Sequence, residues 1–229
     1  MPRISVIVPA LNEERYIESC LKSLRRQDYE DYEVIVVDGG STDSTVEVAS
    51  RYADIVLGPA RPVGKARNIG ARRARGEILL FVDADTVLPR GTLRKVHELF
   101  ENDEKLAALS FLVKPYDGTI LDTFAYLLTN SLFKASTLVK LPLLPGICSA
   151  YRRSAFFTAG GFDERRQLSE DISLSLRVKG KVLYYSKHAV YTSTRRVKKT
   201  GYSNVAKTYI VYGLLLFYLN KLVSYPVVR

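Results

Sequence analysis

The sequence predicts an α/β fold with a mostly parallel central sheet and helices on both faces. Three observations predict it. Near-continuous apolar runs, "RISVIVP" (3–9), "YEVIVVD" (32–38) and "ILLFVD" (78–83), alternate with segments of helical periodicity, the pattern of strands buried on both faces. Each run ends at or just before an acid or amide, at the edge where a parallel sheet opens its ligand crevice. With 229 residues, 47% of them hydrophobic, the chain is long enough to bury one large core.

The first run breaks at "ALNEE", and "EERYIESCLKSLRRQ" (13–27) then carries Ile17, Leu21 and Leu24 at helical spacing. After the second run, "GGSTDS" supplies turn and cap chemistry before a helix in "TVEVASRYA", and "DIVLG" reads as a short strand. "VGKARNIGARRARGE" (63–77) reads as a loop opening a helix that leads into the third run. Past residue 90 the pattern loosens. "LRKVHELFEN" predicts a helix, "KLAALSFLVK" a strand, and 120–141 a long apolar helix or pair of helices. "GICSAYRRSAFFTAGGF" predicts strand, turn and short helix. Ser169 is placed as the N-cap of "SEDISLSLRVKG", and "KVLYYS" is the last strand. The expected division is a domain over 1–190, followed by a basic loop and an apolar helical C-terminal segment over 191–229.

Charge is distributed unevenly. The net charge is +10, yet residues 1–171 balance to −1, and after Asp171 come 11 Lys and Arg with no acid. Such a tail suits a polyanion: ligand phosphates, anionic lipid headgroups or nucleic acid, with a solvated basic surface as the plain alternative. Cys20 and Cys148 are too few for a disulfide framework, which suits a reducing compartment. The start of the chain lacks the long apolar region of a signal peptide, so a cytoplasmic location is expected. No run reaches the roughly 18 apolar residues of a membrane span. "YIVYGLLLFYL" (209–219), flanked by Lys207 and Lys221, lies in a segment, 204–228, with Tyr209, Tyr212, Tyr218 and Tyr225. It reads as an interfacial helix at a membrane face, or as one packed on the core or in a homodimer.

The chemistry gathers at the strand ends. Asp83 and Asp85, with the small Ala84 between them, follow the third run, Asp38 ends the second, and Asn12 and Glu13 follow the first. Carboxylates there suit a hard divalent cation, magnesium or manganese. Taken alone, a D-x-D is more often an Asp turn or cap. A polyanionic ligand would need that metal and cations to offset the acids, and "VGKARN" supplies Lys65 and Arg67. Nucleoside diphosphates meet this description.

"SVIVPALNEE", "VIVVDGGSTDST", "GKARNIGARRARGEILLFVDADT" and "SEDISLSLRVKG", in this order, resemble the family-2 glycosyltransferases, whose GT-A fold is Rossmann-like. The resemblance covers roughly residues 3–186. It implies metal-dependent, inverting transfer from a nucleoside-diphosphate sugar, UDP before GDP. Pro9, Ala10, Asn12 and Glu13 would line the nucleoside pocket, Asp38 would bond the base, and Lys65 and Arg67 would lie on the donor side. Asp83 would reach the ribose or metal and Asp85 the metal, with His188 as a possible third ligand or a structural His. Asp171, beside Glu170, would be the base. Arg195 and Arg196 would cover the diphosphate as a lid or clamp an acceptor phosphate, as in the similar polyprenyl-phosphate sugar transferases. The chain has no Trp and so lacks the Q-x-x-R-W motif of processive synthases. The expected acceptor is lipid-linked or a glycan, at the inner face of a membrane, and nucleic acid is not an expected partner. A sugar nucleotidyltransferase and a non-catalytic nucleotide-sugar or membrane-binding protein of the same fold remain the alternatives.

Overall fold

Alternation along the apolar strands divides the core into two layers, as burial on both faces of a sheet requires. In the computed structural model, which describes residues 2–138, 142–166, 169–195, 198 and 201, the first strands are β1 (Ile4–Ala10), β2 (Tyr32–Asp38), the short β3 (Ile55–Leu57) and β4 (Ile78–Val82). Val6, Val34, Val36 and Leu80 face one layer, where α1 (Ile17–Arg25), α2 (Thr45–Ser50) and α4 (Thr92–Glu101) add Leu21, Leu24, Ala49, Leu93 and Phe100. Ile7, Ile35, Leu79 and Phe81 face the other, with Ala66 and Ala71 of α3 (Val63–Arg73), Phe156 of α6 (Arg153–Thr158) and Leu174 of α7 (Glu170–Arg177). At Gly70 a methyl group would lie 2.4 Å from Ile7 Cγ2, so glycine is what lets α3 lie directly on β1.

The sheet is mixed rather than mostly parallel. Adding β5 (Thr86–Val87), β6 (Leu106–Pro115), β7 (Cys148–Arg152) and β8 (Lys181–Thr192), its order among the described residues is β3-β2-β1-β4-β7-β6-β8-β5. The β3-β2-β1-β4 part and the β6–β8 ladder are parallel, whereas β4–β7, β7–β6 and β8–β5 are antiparallel. Helices still separate the strands past residue 90, but β7 enters the sheet between β4 and β6 and runs antiparallel to both, which makes the sheet mixed.

Local differences have local causes. The first helix starts at Ile17, not at residue 13, because Asn12 takes a left-handed backbone (φ 55) and Glu13 O accepts from the Tyr16 and Ile17 amides in a turn. β8 continues past "KVLYYS" because β6 offers it a partner as far as Pro115, so the basic stretch begins on a strand. Ser169 is not a capping side chain. Its backbone is left-handed (φ 59), not the extended form a capping Ser needs, and its side chain makes no cap hydrogen bond.

The long apolar segment forms one helix, α5 (Ile120–Leu138), with its polar side inward. Asn130 accepts from Val113 N at 3.1 Å and donates to Val113 O at 2.8 Å, taking up β6 backbone groups beyond the end of the β7 ladder. Asp122 is buried and accepts from Thr119 N and Oγ1 at 2.6 and 2.7 Å. The outward side is apolar. Among the described residues no helix is long and apolar enough to cross a membrane. The expected helix of 204–228 lies outside the described residues.

Candidate active site

Two loops at the carboxyl ends of β1 and β2 are bonded to each other. Asn12 Oδ1 accepts from Thr42 N at 2.9 Å, Asn12 N donates to Ser41 Oγ at 2.9 Å, and Glu13 N donates to Thr45 Oγ1 at 2.7 Å. Asp38, buried at the end of β2, accepts from Gly40 N at 2.6 Å and from Ser41 N and Oγ at 2.9 and 2.5 Å. Its carboxylate therefore organises the "GGST" turn. Pro9 and Ala10 are buried in β1. Pro9 lies past the end of the ladder to β4, which stops at Ile7↔Phe81, so its missing N–H interrupts no pair of that ladder.

Arg67 joins the end of β4 to the start of α7. From α3 its Nη2 reaches Asp83 Oδ1 at 2.7 Å and its Nη1 reaches Glu170 Oε1 at 2.6 Å, while the guanidinium lies 5.2 Å from the Phe162 ring centroid. Burial opposes its charge, but Asp83, Glu170 and Asp171 outweigh burial and raise its pKa. Arg67 is 3% exposed, so it acts here as an internal counter-ion to these acids. Asn68, the next residue, clamps the following loop by accepting from Phe162 N and donating to Phe162 O.

Asp171 stands beside this cluster. Its Oδ2 accepts from Gly146 N at 2.6 Å and its Oδ1 from Ile172 N at 2.8 Å. Burial and the neighbouring Glu170 push its pKa up to about 6, against the opposing pull of Arg67 and the two amides. Glu170 is buried against Arg67, so it positions the cluster while half-buried Asp171 keeps the solvent edge. Gly146 was not singled out from sequence. A Cβ there would come within 2.9 Å of Asp171 Oδ2, and nothing in "PLLPGICS" signals that requirement.

A second cation holds the other acids. Arg195, just past β8, donates from Nε to Asp85 Oδ2 at 2.7 Å and from Nη2 to Glu13 Oε1 at 2.5 Å, with its guanidinium 4.6 Å from the Tyr16 ring centroid. Burial raises the pKa of Glu13, partly offset by Arg195. Asp117 fixes the segment by accepting from Ser193 Oγ at 2.8 Å and Thr194 N at 2.7 Å. Tyr16 and Asp117 were also missed, because neither is near Arg195 in sequence.

His188 is not brought to these acids. Its Nε2 is 2.8 Å from Thr92 Oγ1 and its ring packs on Phe111, with burial and Lys95 lowering its pKa. That makes it a structural His. Ala84 is 3% exposed and packs in the core, and Lys65 is exposed on the first turn of α3. Arg196 lies outside the described residues. A separate concavity of about 820 Å³, lined by Arg72, Phe157, Arg165 and Arg166 among others, contains none of the predicted site residues.

Known proteins resemble the chain in sequence and in fold. The model of glycosyl transferase family 2 matches residues 5–157. Poly(ribitol-phosphate) beta-N-acetylglucosaminyltransferase TarS of Staphylococcus aureus is 38% identical over 104 residues, 41% of this chain and 18% of TarS. A PGL/p-HBAD biosynthesis glycosyltransferase of Mycobacterium bovis is 30% identical over 189 residues, 77% of this chain and 69% of the relative. Among solved structures, S. aureus TarS 1-349 in complex with UDP-GlcNAc has a TM-score of 0.68 at 26% identity, covering 84% of this chain and 58% of that one. The mannosyltransferase PcManGT of Pyrobaculum calidifontis, in complex with GDP-Man and Mn2+, has a TM-score of 0.70 at 27% identity, covering 88% and 59%. The chain thus spans under a fifth of full-length TarS and under two thirds of both solved chains. With the family model matching most of its length, a relative 30% identical over 77% of it and solved structures sharing its GT-A-like sheet, the chain belongs to glycosyl transferase family 2.

Proposed function

We propose that the protein transfers a sugar, with inversion, from a nucleoside-diphosphate sugar to a lipid-linked acceptor at a membrane face, in a reaction that depends on magnesium or manganese. The observation that carries this reading is the convergence of Asp83, from the end of β4, and Glu170 and Asp171, from the start of α7, on one buried guanidinium. It supports a reading in which the donor-side carboxylates and a base share one site. UDP precedes GDP as the donor nucleotide on the family resemblance alone; the TarS structure holds UDP-GlcNAc and that of PcManGT GDP-Man, so both nucleotides enter the test.

Asp83 and Asp85 fit a divalent ion shared with the diphosphate. Asp85 already takes a cation, the Arg195 guanidinium, and two carboxylates are what magnesium ordinarily draws from a protein. Among the described residues no group of three His, Cys, Asp or Glu could hold a metal by itself. When bound, the ion offsets charge on the leaving diphosphate.

The chain's own residues supply the rest. Asp171, oriented by the Gly146 and Ile172 amides, accepts the proton of an acceptor hydroxyl as that oxygen attacks the anomeric carbon opposite the diphosphate. Arg67 keeps Asp83 and Glu170 in place. Arg195 supplies a positive charge beside Asp85 that can turn to the diphosphate. The test is calorimetric titration of UDP, GDP and their sugar conjugates, with and without manganese. Metal-dependent binding of one nucleotide is expected, and a folded sample that binds none would overturn the reading.

A further inference from the structure

We propose that the outward face of α5 is a docking surface for an anionic lipid bilayer. The helix is fixed from inside by Asn130 on Val113 and by buried Asp122 on Thr119, which leaves Ile120, Leu121, Phe124, Leu127, Leu128 and Leu132 outside. Ile120 is 91% exposed and Phe124 is 64% exposed. A helix meant for water would turn its apolar side the other way, and a contiguous apolar patch of this kind marks an interaction site.

Three observations select a lipid surface as its occupant. The face carries no acid: the one acid of α5, Asp122, is buried, and its one cation, Lys134, is exposed. The chain also leaves the described structure at the same corner. Lys198 Nζ donates to Asp117 O at 2.8 Å, and Asp117 lies three residues before Ile120. The sequence that follows, 209–219, is apolar and flanked by Lys207 and Lys221, a composition suited to a lipid surface. Finally, of the 11 Lys and Arg that follow Asp171 with no acid among them, Lys198 stands at this corner on Asp117, a cation suited to anionic headgroups beside an apolar face. Through Ser193 and Thr194 the same Asp117 adjoins Arg195, so a lipid at the amino end of α5 borders the Asp85 cluster. Delivery of an acceptor rests on the transfer reading above, whereas the surface itself does not.

The experiment is sedimentation of the full chain with vesicles of phosphatidylcholine, with and without phosphatidylglycerol, beside the variant Phe124→Asp/Leu128→Asp/Leu132→Asp. The wild type should pellet with phosphatidylglycerol vesicles and less with phosphatidylcholine alone. The variant should lose about tenfold or more in partitioning while keeping its melting temperature and its calorimetric donor binding. Single Leu128→Asp should give a smaller loss in the same direction. Failure of the wild type to pellet with either vesicle, or unchanged partitioning of the triple variant, would overturn the proposal. So would a lipid-free wild-type dimer that the triple variant converts to monomer, since a second copy would then cover the face. Vesicle binding without binding of any nucleotide sugar would support the surface and overturn the transfer reading.

Discussion

Asp171 and Arg67 set what the site can do at the level of single groups. A base works deprotonated, and the Asp171 pKa is raised to about 6, so kcat/KM should be level above that pH and fall about tenfold per unit below it. The apparent midpoint belongs to Asp171 and Glu170 together and is read from a pH–rate profile. Asp171→Asn should lower transfer by about 100-fold or more while calorimetry finds donor binding unchanged. Retained turnover would point to an acceptor phosphate, which needs no base. Arg67→Ala leaves buried Glu170 without its counter-ion, and breaking such a pair costs about 3–5 kcal/mol. A thermal melt should show it as a fall of roughly 2–4 °C per kcal/mol. The Glu170–Asp171 pair could be singled out in the sequence because it sits in an ordered motif. The role of Arg67 was not legible, since sequence cannot show that its charge is consumed by acids 16 and 103 residues away.

The elements carry a second set of constraints, in which backbone proximity decides. Gly70→Ala would drive a methyl into Ile7 on β1, and such overpacking costs about 1–3 kcal/mol, visible as a lowered denaturation midpoint. Gly146→Ala acts on chemistry instead. Its methyl would press on Asp171 Oδ2 and Arg67 Nη1, so kcat should drop with little change in donor affinity, measured by steady-state kinetics beside calorimetry. The apolar runs identified β1, β2 and β4 correctly because burial on both faces leaves an unambiguous pattern. Beyond residue 90, strand direction was not legible. Pairing there is set by long connections and by side chains such as Asn130 on Val113, which no local period encodes.

At the scale of the whole molecule, both cysteines report on the fold. Cys20 and Cys148 are free and fully buried, and burial raises both thiol pKa values, so neither presents a thiolate in the native state. Labelling with a thiol reagent should proceed at the rate of unfolding and accelerate with denaturant, followed by mass spectrometry. Fast labelling of native protein would show that the two layers open locally. The lopsided charge was readable from composition alone, but its division between Arg195, drawn into the site, and Lys198, held on Asp117, appears only in three dimensions. The bonds from Asn12 to Thr42 and Ser41, and from Asp38 to its own turn, join the ends of β1 and β2 without any ligand. A nucleoside arriving there need not order these loops, so its affinity escapes that entropic toll and discrimination among bases falls to the shape of a preorganised floor.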